Sequence, residues 1–161
     1  MNMKKLVPIF LAMIIVISGC TQSTQPEQRT KYKYLEIDFE EPTGWEKSYP
    51  FKGTLADGQV VGPDDVLFTK NNLAIMVTSG GSLDELSEKA KGKATFEIED
   101  KTIGKLYGKK FSIKTQEEGG FYLDGFTFER NNVKYFITIF SNETLTEESS
   151  RIFNKLIESV N

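Results

Sequence analysis

Three groups of side chains in this sequence have the types and spacing to do chemistry. Asp57, Asp64 and Asp65 fall in neighbouring loops, where three carboxylates could gather oxygens around a hard cation such as Ca²⁺. Their spacing matches no calcium loop, and loop aspartates ordinarily serve turns. Glu97 and Glu99 lie two residues apart on one strand face and could act as a general acid–base pair. Lysines flank them, so a solvated strand face is the plainer reading. Ser79-Gly80-Gly81-Ser82 precedes a helix start, where backbone N–H groups could receive an anion. It lacks the Walker lysine and the dinucleotide-binding spacing, and reads as a loop with an N-cap. Lys89, Lys91, Lys93, Lys101, Lys105, Lys109 and Lys110 are balanced by nearby acids, as on a solvated surface. Asn142-Glu143-Thr144 is a glycosylation sequon at a helix start.

What is missing narrows the chemistry further. The chain of 161 residues has no histidine and one cysteine, Cys20. Serine–histidine and cysteine–histidine nucleophile systems are excluded, as are zinc or copper sites built on His and Cys. Neither an enzyme nor a cofactor is expected. With a single cysteine no intramolecular disulfide can form.

The position of that cysteine is the sharpest feature of the sequence. Lys4 and Lys5 open the chain, an apolar run follows from Leu6 to Ile17 broken only by Pro8, and Ser18, Gly19 and Cys20 close it. A basic start, an apolar run of about 7–15 residues and small residues at the end describe a secretory signal. A membrane span needs roughly 20 apolar residues to cross about 30 Å of hydrocarbon, and this run is shorter. Ile17-Ser18-Gly19-Cys20 resembles a prokaryotic lipobox: an aliphatic residue, two small residues, then cysteine. That resemblance implies a diacylglyceryl group on the Cys20 thiol, recognition of Ile17, Ser18 and Gly19 by a dedicated peptidase, and cleavage that leaves Cys20 as the first mature residue. One acyl chain holds a protein to a bilayer marginally, whereas two anchor it stably.

Residues 1–19 are thus expected as a signal, and residues 20–30 as a lipidated cysteine with a flexible tether. Residues 21–30, TQSTQPEQRT, have no apolar surface to bury. Ten extended residues lift a domain by at most about 35 Å. The rest, residues 31–161, is long enough for one domain with a real core. Removing the two leader lysines from 20 basic residues leaves 18 against 23 acids, a net charge of −5. That balance offers no footprint for nucleic acid or for anionic lipid.

The elements follow from periodicity. In the Tyr34–Phe39 stretch, Leu35, Ile37 and Phe39 alternate with polar residues and predict one half-buried strand, closed by the turn at Glu41-Pro42-Thr43-Gly44. Tyr49–Leu55 predicts a strand, and Asp57-Gly58 a hairpin that brings Gln59–Val61 back. Two apolar runs, one ending at Phe68-Thr69-Lys70 and one at Phe128-Glu129-Arg130, each enter an Asn-Asn pair and leave as another apolar run. Asn tolerates the positive φ that tight hairpin turns require, so two hairpins are predicted. Their likeness needs no duplication, because one turn physics makes both. Ala94–Asp100, Thr102–Tyr107, Lys110–Gln116, Phe121–Arg130 and Val133–Phe140 read as further strands. Capping boxes at Ser82…Glu85 and Thr144…Glu147 start two helices. The first has Leu83, Leu86 and Ala90 on its stripe; the second has Ile152, Phe153, Leu156, Ile157 and Val160. In the last strand Val133, Tyr135, Ile137 and Ile139 face one way and Phe136 and Phe140 the other, so both faces need cover. Layers on either side of an antiparallel sheet satisfy that need.

Phe39-Glu40-Glu41-Pro42-Thr43-Gly44-Trp45 resembles the opening strand and Pro-x-Gly-Trp turn of the PsbP-like and Mog1-like superfamily. The helix at Ser82–Lys91 and the closing helix ending Leu156-Ile157-Glu158-Ser159-Val160 are similar as well. The resemblance spans roughly Tyr32 to Val160 and implies an α+β fold, an α/β/α sandwich on a central antiparallel sheet with two main amphipathic helices. Plant members of that superfamily are extrinsic subunits of photosystem II, fungal members bind a small GTPase, and many prokaryotic members are surface lipoproteins. The histidines reported for plant members have no counterpart here, so no metal ligand carries over. In physical terms Pro42 ends the strand ladder, Gly44 permits an unusual φ, and Trp45 caps the core.

The expectation is therefore a membrane-anchored extracytoplasmic lipoprotein, held on the outer side of a cell membrane by lipid on Cys20. Its domain is expected to bind a protein partner without catalysis, aiding the assembly or stability of an envelope complex. The alternative is a surface module for a small molecule or Ca²⁺.

Overall fold

The structure is a computed structural model, in which residues 31–48, 53–54, 60–61, 65–115 and 120–161 are described. The expectations for the signal, for Ile17, Ser18, Gly19 and Cys20, for the tether, and for Asp57 and Asp64 lie outside the described residues.

The elements run β1 (Lys31–Tyr34), β2 (Ile37–Glu40), β3 (Glu46–Ser48), β4 (Gly53–Thr54), β5 (Val60–Val61), β6 (Val66–Lys70) and β7 (Leu73–Ser79). They continue as α1 (Leu83–Ala90), β8 (Ala94–Ile103), β9 (Leu106–Thr115), β10 (Tyr122–Arg130), β11 (Val133–Ser141) and α2 (Glu147–Glu158). Seven strands make one antiparallel sheet in the order β3-β6-β7-β11-β10-β9-β8. β1–β2 and β4–β5 are separate two-stranded units. The class is α+β: among the described residues, a large antiparallel sheet with two helices.

The two Asn-Asn hairpins form as the sequence predicts. Lys70 pairs with Leu73 and Arg130 with Val133, leaving two-residue turns. Asn71, Asn131 and Asn132 hold φ of 56°, 50° and 62°. Their outgoing strands then pair with each other, Ile137 opposite Val77 and Ile139 opposite Ile75, so two local hairpins become the centre of the sheet.

The first face of the sheet holds the main core. Phe68, Ile75, Val77, Phe126, Phe128, Tyr135, Ile137 and Ile139 pack against Phe153, Leu156, Ile157 and Val160 of the closing helix and its exit, and against Tyr34, Ile37 and Phe39 of β1–β2. A helix of α2's length is marginal alone. Burying its large apolar side chains, at about 1.5–3 kcal/mol each, decides its stability. Beyond α2 the chain clasps β2. Asn161 N–H donates to the Asp38 carbonyl (2.8 Å), Asp38 N–H to the Asn161 carbonyl (3.1 Å), and Glu40 N–H to Ser159 Oγ (2.8 Å). Trp45 is partly buried against this core, as expected of a cap.

The second face is apolar too. Leu67 and Met76 form a cluster with Ala74 and Phe140. Phe111 stacks on Phe96 and meets Phe136 edge-on. Phe136 and Phe140 thus face away from Tyr135, Ile137 and Ile139, as the alternation of β11 requires.

Four expectations change. The single strand over Tyr34–Phe39 is a hairpin: Tyr34 pairs with Ile37 across a turn at Leu35-Glu36. Leu35 is not inward; it has φ of 52° and is 47% exposed, while Tyr34 is buried. The strands at Ala94–Asp100, Thr102–Tyr107 and Lys110–Gln116 are two long ones, β8 and β9, joined at Gly104-Lys105, with Ile103 opposite Leu106. The closing helix is capped by Thr146, whose side chain accepts from Ser149 N–H, two residues after the predicted Thr144. β3, which pairs with β6, has no counterpart in the sequence reading. Elsewhere Gly53 pairs with Val61, in accord with the predicted return of Gln59–Val61.

Candidate functional site

Among the described residues, the sequence-predicted ones do not converge. Asp65 is half-buried and accepts from Tyr34 Oη at 3.1 Å, which ties β1 to the start of β6. Glu97 and Glu99 do share one face of β8, and both are exposed. Glu99 lies 3.8 Å from Lys101 of its own strand. Gly80 and Gly81 take φ of 81° and 87°, and Gly80 N–H donates to the Lys134 carbonyl. Ser82 Oγ accepts from Asp84 N–H at 3.2 Å, so this loop is a cap for α1. Asn142 is exposed beside Ser141, whose Oγ accepts from Glu143 N–H. Among the described residues no group of three His, Cys, Asp or Glu is close enough to hold a metal ion. Among them, too, no helix is long and apolar enough to cross a membrane.

The register instead singles out the end of the sheet formed by β8, β9 and β10. On the second face it aligns Phe96, Ile113, Leu123 and Phe140 in one row. All four are half-buried. Beside them Ile98 is 47% and Phe121 37% exposed, while Tyr107, 70% exposed, lies apart near the β8–β9 turn, beyond Asp100 and Lys109. Scattered exposed apolar residues are ordinary, but a contiguous band at one end of a sheet is the mark of an interaction surface. Asp100 and Lys109 pair at 3.0 Å across the strands and close this band on one side.

On the first face the same strands are charged. Glu97, Ser112 and Asp124 share a row, with Glu99 and Lys110 in the next. Lys114 Nζ lies 5.5 Å from the centre of the Tyr122 ring. Asp124 is half-buried, and desolvation raises its pKa from the ordinary aspartate value, against the opposing pull of Lys110. In the sequence Asp124 is unmarked and Lys110 stands only among the lysines of a solvated surface. The signal was present: Asp124 is in phase with Phe126 and Phe128, on the inward side of β10.

A small cleft of about 200 Å³ lies between the Pro42–Trp45 turn and α2, lined by Glu40, Glu41, Thr43, Ile152 and Lys155 among others. Gly44 takes φ of 73°, and Trp45 N–H donates to the Pro42 carbonyl, which fixes the turn. Glu41 pairs with Lys47.

No protein-family model and no curated protein sequence matches the chain. Among solved structures it is similar to the solution structure of cyanobacterial PsbP (CyanoP) from Synechocystis sp. PCC 6803, with TM-score 0.54 and 10% identity over 82% of this chain and 91% of that one. It is also similar to a crystal structure from Bacteroides thetaiotaomicron VPI-5482, with TM-score 0.53 and 13% identity over 83% of this chain and 48% of that one. The chain spans about half the length of the Bacteroides protein. At these identities the likeness concerns the fold, which is PsbP-like.

Proposed function

We propose that this chain is a lipid-anchored extracytoplasmic lipoprotein whose PsbP-like domain docks on a protein partner without catalysing a reaction. Cys20 carries the acyl chains, Ile17, Ser18 and Gly19 direct the peptidase, and the domain works at the membrane surface in the assembly or stability of an envelope complex. The domain is an α/β/α sandwich, with α2 over the first face and α1 over part of the second. In support, a Cβ placed on Gly81, just before α1, would touch the second-face Phe136 ring at 3.6 Å.

The observation that carries docking is the band of Phe96, Ile98, Ile113, Phe121 and Leu123, left half-buried or exposed at one end of the sheet. A ligand module would use a cleft instead, but the one by Trp45, at about 200 Å³, falls below the roughly 300 Å³ of an ordinary small-molecule pocket, and the larger one of about 520 Å³ along α2, beside Ser150, Asn154 and Glu158, lies open to solvent. A photo-crosslinking residue at Phe121 of the lipidated chain, in native membranes, tests the proposal; Phe121 is exposed and packs with Phe140 of the band. The expected result is one discrete protein adduct that is absent when the same residue replaces Glu148, which is exposed on α2. The same adducts from both positions, or none from either, would refute docking through this end.

A further inference from the structure

We infer that β8 is an acceptor edge for an extended basic, amphipathic segment of the partner; the inference rests on the protein-binding reading above. β8 is ten residues long and ends the sheet. Among the described residues nothing pairs with its outer side, which leaves a row of backbone donors and acceptors open. Residues 97–102 are all exposed. Proteins usually blunt such an edge by shortening it or by placing proline or lysine along it. Here the strand is long and free of proline, and its exposed stretch carries Glu97, Glu99 and Asp100 against one Lys101.

Alternation defines what would fit. Glu97 and Glu99 stand on the first face, Phe96 and Ile98 on the second. An added strand continues both faces, so two alternate side chains of the incoming segment meet Glu97 and Glu99 while those between them extend the apolar band past Phe96 and Ile98. Directly opposed side chains on neighbouring strands lie about 4.5–5.5 Å apart, close enough for opposite charges to favour pairing and like charges to oppose it. Glu97 has no ion-pair partner among the described residues, and Glu99 has only the exposed Lys101 at 3.8 Å, a contact of little worth. Both carboxylates are exposed and can receive lysine or arginine. A second copy of β8 fits worse. Antiparallel pairing about Ile98 sets Glu97 opposite Glu99 twice.

The test uses the full chain in detergent and two short synthetic peptides, one alternating lysine with valine and one alternating glutamate with valine. The lysine peptide is expected to bind and to slow amide hydrogen exchange within residues 94–103. Glu97→Lys with Glu99→Lys is expected to weaken that peptide about tenfold or more and to admit the glutamate peptide, from reversing two cross-strand charge pairs. Both positions are exposed, so the variant folds. No binding of the lysine peptide, protection elsewhere, or equal binding to the reversed variant would overturn the inference. A discrete Phe121 adduct together with any of those results would leave docking intact and refute only the edge.

Discussion

Gly125→Ala is the substitution the second face tolerates least. Gly125 lies in β10 opposite Phe111 of β9 and Thr138 of β11. A Cβ there would sit 2.1 Å from the Phe111 ring Cζ and 2.5 and 2.6 Å from Cε1 and Cε2. Phe111 is 1% exposed, stacked on Phe96 at 6.2 Å and edge-on to Phe136 at 6.1 Å between centroids. The ring must therefore move into side chains that already fill the space. Overpacking of this kind costs about 1–3 kcal/mol, offset by roughly 0.4–1 kcal/mol from the smaller unfolded-state entropy of alanine. A net loss of about 1–2 kcal/mol is expected, a fall in Tm of roughly 3–10 °C. Urea unfolding in the native and Phe111→Leu backgrounds measures it. Leucine leaves room where the ring stood, so the alanine should cost little there, and the two changes should be strongly non-additive. An alanine that is harmless in the native background, or equally costly in both, would refute the packing described for this face.

Thr138→Val should stabilise the domain by about 1 kcal/mol, because Thr138 Oγ1 is buried without a hydrogen-bond partner among the described residues and valine has nearly its shape; a loss in urea unfolding would contradict that reading. Asp124→Asn should alter the pH dependence of stability. The folded-state pKa of Asp124 is raised, so its stabilising contribution is full below the unfolded value and is lost as pH rises through the folded value. The asparagine variant should therefore gain on the native protein as pH rises through the acidic range and hold that gain near neutrality; a gain that shrank with rising pH would invert the sign. Thr146→Ala should cost about 1 kcal/mol and Thr144→Ala almost nothing, because Thr146 Oγ1 accepts from Ser149 N–H at 3.2 Å. Thermal melts that ranked them the other way would return the cap to Thr144.

Much of the fold is legible where a local rule and the tertiary fold agree. β11 reads correctly because strict alternation sends Tyr135, Ile137 and Ile139 one way and Phe136 and Phe140 the other. The Asn-Asn turns read correctly because their φ values demand a residue that tolerates the left-handed region. The β1–β2 hairpin does not, because no Gly or Asn marks its turn. Leu35 takes φ of 52°, and Glu36 N–H donates to Tyr135 Oη at 3.3 Å, from a strand 99 residues away. Gly104, with φ of 59°, marked the β8–β9 turn, yet the apolar residues flanking it suggested one continuous strand. The candidate site was the least legible part. Phe96, Ile113, Leu123 and Phe140 become one band, and Asp124 a neighbour of Lys110, only through the register of strands far apart in sequence. No spacing rule within one element encodes that.

The claim on which the functional reading turns is the anchor at Cys20, and mass spectrometry of the N-terminal peptide of the chain isolated from membranes tests it most directly. The account predicts a peptide beginning at Cys20 with a diacylglyceryl thioether on its sulfur. A free thiol at Cys20, or a peptide that still begins at Met1, would contradict it.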